Sequence, residues 1–478
     1  MKKTHFLFFT ALVFVALSCK KGEKIGNGAP ETIITPKAIN LSGEQRLKST
    51  VRLSWFGLDS DGYIEGYEYS KDEKNWNYTT NTDSTFVFII EAGQDTADIN
   101  FWVRAIDNDG NTDPTPAKLT VPIKNTPPNI TLNKTLSTSD TALLVATVFW
   151  EADDPDGADN LKGYEIKIND GAWFDLPKNL DNISITPSNP EANGATGANI
   201  YSTSDKKLGE IGGLIMEDTN SIFIRSYDLS LSYSELDTLS GLYFKGKKSD
   251  LLVIGGDRDR NNFYKGRLAN VYTQFDYIDY TANDGASQPT FWNPTFTLMA
   301  LQYDKLFIYS DKTTYPNDNT KKESLILEAA AESVQEFIDQ GKKAFIIGYF
   351  ENPLDSNSNL FPLLNIARID NSSKALLLEP FPNTLTSKEA GYPDLGTISF
   401  PSTASPFEKT SDVIEIYAGR FDGTSGYNGP TTVGIKKQNE ANGNTYQVYI
   451  AASMADMNAD YSKVDSLFNH VLNVEFDW

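Results

Sequence analysis

One cysteine, Cys19, and two histidines, His5 and His470, limit the chemistry open to this chain of 478 residues. Cys-His and Ser-His nucleophile systems lack raw material, and so does a zinc site built from histidine and cysteine. Carboxylates are what remain. Asp59, Asp61, Asp107 and Asp109, with Asp153, Asp154 and Asp156 further on, lie in Asp- and Gly-rich turns and offer the hard oxygen ligands that calcium takes. None completes a twelve-residue loop closed by a glutamate, and the same residues equally serve to make turns. A second set, Asp257, Asp259, Asn261, Ser310, Asp311 and Tyr349, stands just after apolar runs, where an open α/β sheet gathers its ligands. The alternative there is an Asp/Arg loop facing water; Gly255-Gly256 lacks the remaining glycines of a dinucleotide fingerprint. Trp76, Trp173 and Trp292 sit beside polar or turn residues, where a ring either stacks on a sugar or fills out sandwich packing.

The elements that must position these residues change character along the chain. Met1-Lys2-Lys3, an apolar run from Phe6 to Leu17 and Ser18-Cys19 have the order of a secretory signal over 1–18, too short to span a bilayer. Its removal would take the formal charge from −22 to −24, because Lys2 and Lys3 leave with it. So acidic a chain makes a poor partner for nucleic acid. Residues 19–38 lack periodicity and read as a flexible tether. Short alternating runs such as Val51–Trp55 then predict β-strands.

The pattern occurs twice. Trp55, Asp59-Ser60-Asp61-Gly62, Gly66-Tyr67-Glu68 and Phe101–Asp107 are echoed by Trp150, Asp153–Gly157, Gly163-Tyr164-Glu165 and Ile222–Asp228. Tandem sandwiches over 39–125 and 126–247 follow, joined at Asn125-Thr126-Pro127-Pro128. Trp55 to Arg104 is 49 residues and Trp150 to Arg225 is 75, so the second copy carries an insertion of 26, expected as a surface loop between Pro187 and Asp205. From 248 to 478 continuous apolar runs at Leu251–Ile254, Asp304–Tyr309, Ala344–Gly348 and Gln447–Ala451 predict buried parallel strands. A helix capped by Thr320 and Glu323 and stopped at Gly341 lies between them, and Val464–Val474 predicts a closing helix.

Three resemblances attach to these residues. Ala16-Leu17-Ser18-Cys19 resembles the lipobox of bacterial lipoproteins, which implies palmitoylation at Cys19 and a lipid bilayer as partner, with the outer membrane of a Bacteroidota-type envelope as its place. Lys20-Lys21 after the cysteine points to the periplasmic face. The repeated tryptophan and the "FWVRAIDNDG" strand resemble fibronectin type III and related immunoglobulin-like domains, which implies spacer or binding modules and no catalytic residue. The "YDKLFIYSD", "GKKAFIIG" and "VYIAASMADMN" segments resemble the flavodoxin-like, class I glutamine-amidotransferase-like α/β fold, with Ile347-Gly348-Tyr349-Phe350 where active members carry cysteine. Asp95-Thr96-Ala97, Asp140-Thr141-Ala142 and Asp237-Thr238-Leu239 also resemble a short O-glycosylation sequon. The expectation is a multidomain, non-catalytic envelope lipoprotein that binds a glycan, peptide or protein partner without a cofactor other than calcium. The alternatives are a carboxylate-based hydrolase in the α/β crevice and a structural spacer.

Overall fold

The computed structural model describes residues 26–36, 38–282, 288–317, 319–350, 354, 357–369, 376–377, 381–398, 403–421 and 427–478. The expected signal and Cys19 lie outside the described residues. Internal contacts divide the chain into two units: one of 1–129, 153–162 and 226–234, the other of 130–152, 163–225 and 235–478.

The first unit holds a sandwich of eight strands: β1 (Glu31–Thr35), β2 (Leu47–Lys48), β3 (Thr50–Leu58), β4 (Ile64–Ser70), β5 (Asn77–Thr79), β6 (Asp83–Val87), β7 (Thr96–Asp107) and β8 (Ala117–Lys124). One sheet runs β1-β3-β6 and the other β2-β8-β7-β4-β5. Alternation along β3 sends Val51, Leu53 and Trp55 inward, where they meet Phe86, Phe101, Val103 and Val121. Trp55 stands edge-on to Tyr67 with ring centroids 6.3 Å apart. Burial of each large apolar side chain contributes about 1.5–3 kcal/mol. The tether expected up to residue 38 is corrected by β1: Ile33 and Ile34 pair opposite Phe56 and Trp55, so this sandwich begins earlier than 39.

The second sandwich has ten strands: β9 (Asn129–Leu132), β10 (Thr141–Leu143), β11 (Ala146–Asp153), β12 (Leu161–Ile168), β13 (Phe174–Pro177), β14 (Asn182–Pro187), β15 (Gly194–Thr203), β16 (Lys206–Met216), β17 (Asp218–Asp228) and β18 (Asp237–Lys245). Its sheets run β16-β15-β14-β11-β9 and β10-β18-β17-β12-β13. Trp150 stands edge-on to Tyr164 at 5.3 Å, repeating the first core. The inserted residues are not the surface loop expected between Pro187 and Asp205. They form the β15–β16 hairpin, paired to β14, because Ala198, Ile200, Ile211, Leu214 and Met216 alternate and bury one face.

Beyond Ser249 a mixed sheet of nine strands takes over. Five are parallel, β19 (Leu251–Gly256), β20 (Asp276–Asp279), β21 (Lys305–Ser310), β24 (Lys343–Gly348) and Thr445–Ile450, in the spatial order β20-β19-β21-β24-Thr445–Ile450. The sheet is not the all-parallel one expected. Thr432–Gln438, Ile414–Gly419, Phe381–Ser387 and Leu395–Thr397 extend it with antiparallel pairings. Helices α1 (Asn261–Ala269) and α4 (Tyr461–His470) join a buried cluster with Leu251, Val253, Phe307, Phe345 and Val448 on one face. The alternate residues Leu252, Ile254, Leu306 and Ile346 are buried on the other, where α3 (Ile326–Asp339) packs. The capping box expected at Thr320 and Glu323 does not form. Instead β22 (Thr314–Pro316) pairs with β23 (Glu323–Leu325), and Glu323 accepts a 3.0 Å bond from Thr314 Oγ1. Gly341, at φ 77°, ends α3 as expected.

Candidate functional site

Two regions of the second unit and one of the first hold the candidate residues. Parallel strands place their carboxyl ends along one sheet edge, and β19, β21, β24 and Thr445–Ile450 bring Asp257, Asp311, Tyr349 and Asp456 there. Backbone approaches closely at this edge: a Cβ on Gly256 would lie 2.8 Å from the Tyr309 carbonyl oxygen, so glycine is required. The hub is Arg260. Its guanidinium donates to Asp456 Oδ1 at 2.9 Å, Ser453 Oγ at 3.2 Å and Tyr349 Oη at 3.5 Å, and lies 3.8 Å from Asp257 Oδ2. Asp257 is only 4% exposed. Burial, and then the charge of Asp311, push its carboxyl up to about 6, while Arg260 pulls the other way. Burial likewise raises the Tyr349 phenol.

Of the six residues expected here, four reach this edge. Asp311 accepts from Thr313 N and Oγ1, and Ser310 Oγ donates to the Asp311 carbonyl at 3.3 Å. Asn261 does not join them: its Nδ2 donates to Asp279 and Thr281 at 2.8 and 2.9 Å. Asp259 lies exposed. Sequence reasoning missed Arg260 as hub, along with Ser453 and Asp456; the signal for the latter two was their position just after the last parallel strand. Chemically the edge offers an acid/base carboxyl beside a guanidinium that is already paired. His470 takes no part, with Nε2 3.4 Å from Glu475 Oε1 and its ring 4.6 Å from that of Tyr392.

A cavity of about 160 Å³ lies elsewhere in the second unit. Its walls come from residues 135–147 of the sandwich and from 288–295, and they include Ser137, Thr138, Thr147, Thr290, Trp292 and Asn293. Among the described residues no charged one lines it. Asn293 and Pro294 fix one wall as N-cap and first residue of helix α2 (Pro294–Ala300), Asn293 Oδ1 accepting from Thr295 N at 2.9 Å. Thr290 Oγ1 and Trp292 Nε1 are buried without a hydrogen-bond partner among the described residues. Such orphan groups are costly unless something meets them. The sequence had flagged Trp292, whose ring packs 5.6 Å from Phe149, but not the hydroxyls around it.

For Trp76 and Trp173 the structure favours packing over an open sugar platform. Arg104 covers Trp76 at 4.1 Å and Arg225 covers Trp173 at 4.4 Å, each guanidinium also pairing at 2.6 Å with Glu68 or Glu165.

The Asp turns fall in the first unit. Asp107 is buried, and its carboxylate accepts from the backbone of Asp109 and Asn111 and from Asn111 Nδ2 at 2.8–2.9 Å. Burial raises this carboxyl, but the Asn111 and backbone donors together outweigh it and hold it below the usual range. Asp61 Oδ2 accepts from Gly28 N at 3.0 Å, Asp109 is exposed, and burial raises Asp59. A Cβ at Gly62 would stand 2.1 Å from Asn108 Oδ1 and displace the side chain that accepts from Tyr63 N. In the second turn Asp154 accepts from Asp156 N at 2.8 Å and Asn160 Nδ2 at 3.1 Å, and Asp156 Oδ2 from Thr126 N at 2.7 Å. Burial first, with the charges of Asp156 and Asp228, pushes Asp154 up to about 6 against the donors that pull it down. Among the described residues no three carboxylate, imidazole or thiolate groups are drawn together tightly enough to hold a metal by themselves.

No family model and no curated protein matches the chain. Among solved structures it is similar to the fibronectin(III)-like modules of Clostridium thermocellum CbhA, at 12% identity over 45% of this chain and 94% of that one, with a TM-score of 0.18. A two-domain fibronectin type III segment of chicken tenascin gives 14% identity, 42% and 96% coverage and a TM-score of 0.18. The Yersinia pseudotuberculosis adhesin InvE gives 13%, 44%, 58% and 0.19. Two of these are fibronectin III modules by their description, and the sandwich assignment here rests on the strand pairings above.

Proposed function

We propose that this chain is a lipid-anchored envelope protein that binds a neutral glycan and is not a catalyst. The observation that carries the binding reading is the cavity at Thr290 and Trp292. Among the described residues its polar lining is hydroxyl and amide without charge, and two buried groups there lack partners. A ligand rich in hydroxyls supplies what those groups need, whereas an ionic ligand would lose hydration without a counter-charge. Anchoring is read from Cys19 in its lipobox-like setting, with the acyl chains holding an acidic protein that the membrane surface itself would repel. The order of the five parallel strands, with the second outside the first, supports reading the C-terminal region as a degenerate flavodoxin-like, amidotransferase-like unit. Tyr349 follows the strand where that family keeps its cysteine.

Titration of the secreted chain with neutral mono- and oligosaccharides, followed by calorimetry, tests this: saturable heat without product formation is expected. The second reading, a carboxylate-based hydrolase, is favoured by the raised Asp257 carboxyl beside Arg260. Turnover of a glycan or peptide that disappears in Asp257→Asn would establish it and overturn the binding reading. Labelling cells with an alkyne-palmitate tests the anchor, and a Cys19→Ser variant that still takes label and stays in the membrane fraction would contradict it.

A further inference from the structure

The two Asp turns are built from corresponding residues. Asp59, Asp61, Asp107 and Asn111 of the first match Asp154, Asp156, Asp228 and Ser232 of the second, counted from Trp55 or Trp150 and from Arg104 or Arg225, and Asn27 corresponds to Asn125 by the contact of the residue that follows it. A backbone N–H from the residue after the asparagine reaches the middle aspartate in both, Gly28 N to Asp61 and Thr126 N to Asp156. The difference lies in what else serves the carboxylates. In the first turn the Asn111 amide donates to both Asp107 Oδ2 and Asn27 Oδ1, and Asp61 and Asn27 are exposed to water. In the second, Ser232 stands where Asn111 would be, and the carboxylates are buried.

Burial leaves the second turn with more acceptors than donors. Asp156 is 2% exposed and Asn160 0% exposed, yet among the described residues Asp156 Oδ1 and Asn160 Oδ1 have no hydrogen-bond partner, and neither has the buried Asn125 Oδ1. Asn160 is already in contact with Asp154 through its Nδ2, and Asn125 with Asp228 through its own Nδ2. The Lys48 ammonium, which reaches this loop from β2, donates to the Pro155 carbonyl. Orphan oxygens beside three buried carboxylates are what a hard cation satisfies.

We infer that the second turn is a calcium site, with Asp154, Asp156 and Asp228 as carboxylate ligands and the amide oxygens of Asn125 and Asn160 completing them. Calcium accepts carbonyl-type oxygens and flexible geometry, so three tightly converged carboxylates are not required. Magnesium fits less well, because it demands near-octahedral geometry and gives up water reluctantly.

Calorimetric titration of chelator-treated secreted chain with CaCl₂ tests the site. One ion per chain is expected, with a Kd on the order of 10⁻⁴ to 10⁻³ M as in extracellular modules. Asp156→Asn should weaken binding by about tenfold or more, Asp61→Asn should leave it unchanged, and Asn160→Asp should tighten it by adding a charged ligand. Terbium luminescence displaced by calcium gives the same comparison without relying on thermal stability. Absence of binding to the parent chain overturns the inference, as does binding lost in Asp61→Asn but kept in Asp156→Asn.

Discussion

Asp107 in the first sandwich receives N–H donors from Asp109 and from both the backbone and side chain of Asn111, whereas its counterpart Asp228 receives them from Ser232 and Asn125. Around that exchange the two copies are close repeats, with Trp55 on Tyr67 and Trp150 on Tyr164, and with Arg104 and Arg225 each clamped between a glutamate and a tryptophan. The comparison teaches that one inherited turn can be closed by its own amides in one setting and left with surplus buried oxygens in another. The second copy is also where the extra hairpin was added and where the sandwich contributes a wall of the cavity.

The largest expected effects test whether the cores are equivalent. Trp55→Ala and Trp150→Ala should each cost about 3–5 kcal/mol in denaturant unfolding, and a much smaller loss for one of them would break the repeat as an energetic statement. Next comes a contrast with the C-terminal sheet, where Asp257 carries a raised carboxyl. A carboxyl whose folded value is raised binds its proton more tightly in the native state, so stability is lost as pH rises from about 3.8 to about 6. Asp257→Asn should remove that loss and stabilise the chain at pH 7.5 by about 1–3 kcal/mol relative to pH 4; a pH-independent difference in thermal melting would contradict the assignment. The smallest effect concerns the paired clamps. Arg104→Ala and Arg225→Ala should each cost about 1 kcal/mol, the sum of a half-exposed ion pair and a stacked guanidinium, and unequal values would sharpen which copy relies on its outer face.

Much of the sandwich architecture was legible because alternation and the doubled tryptophan report burial directly. The β15–β16 hairpin was not, since Pro, Asn and Gly between Pro187 and Asp205 look like loop punctuation while the alternation of Ala198 and Ile200 is short. β1 escaped for a similar reason: Ile33 and Ile34 are two apolar residues in a polar stretch, and only pairing with β3 gives them a core. In the C-terminal region the continuous apolar runs announced parallel strands, but the antiparallel ones are interrupted by Gly, Thr and Lys. At the carboxyl edge of the sheet, Asp257, Asp311 and Tyr349 were readable from their places after strands. Arg260 was hidden because a charge in a run of charges looks solvated, and its partner Asp456 lies 196 residues away. The cavity had no signature, because serine and threonine hydroxyls distant in sequence have no spacing to betray them.

The most direct test of the central claim is Thr290→Val, which keeps shape and removes a buried hydroxyl that has no partner. Measured together by thermal unfolding and sugar titration, the variant should be more stable by about 1 kcal/mol, since an unmet polar group is gone, and should bind the neutral sugar about tenfold more weakly. A variant that loses stability while binding sugar as the parent does would contradict the account.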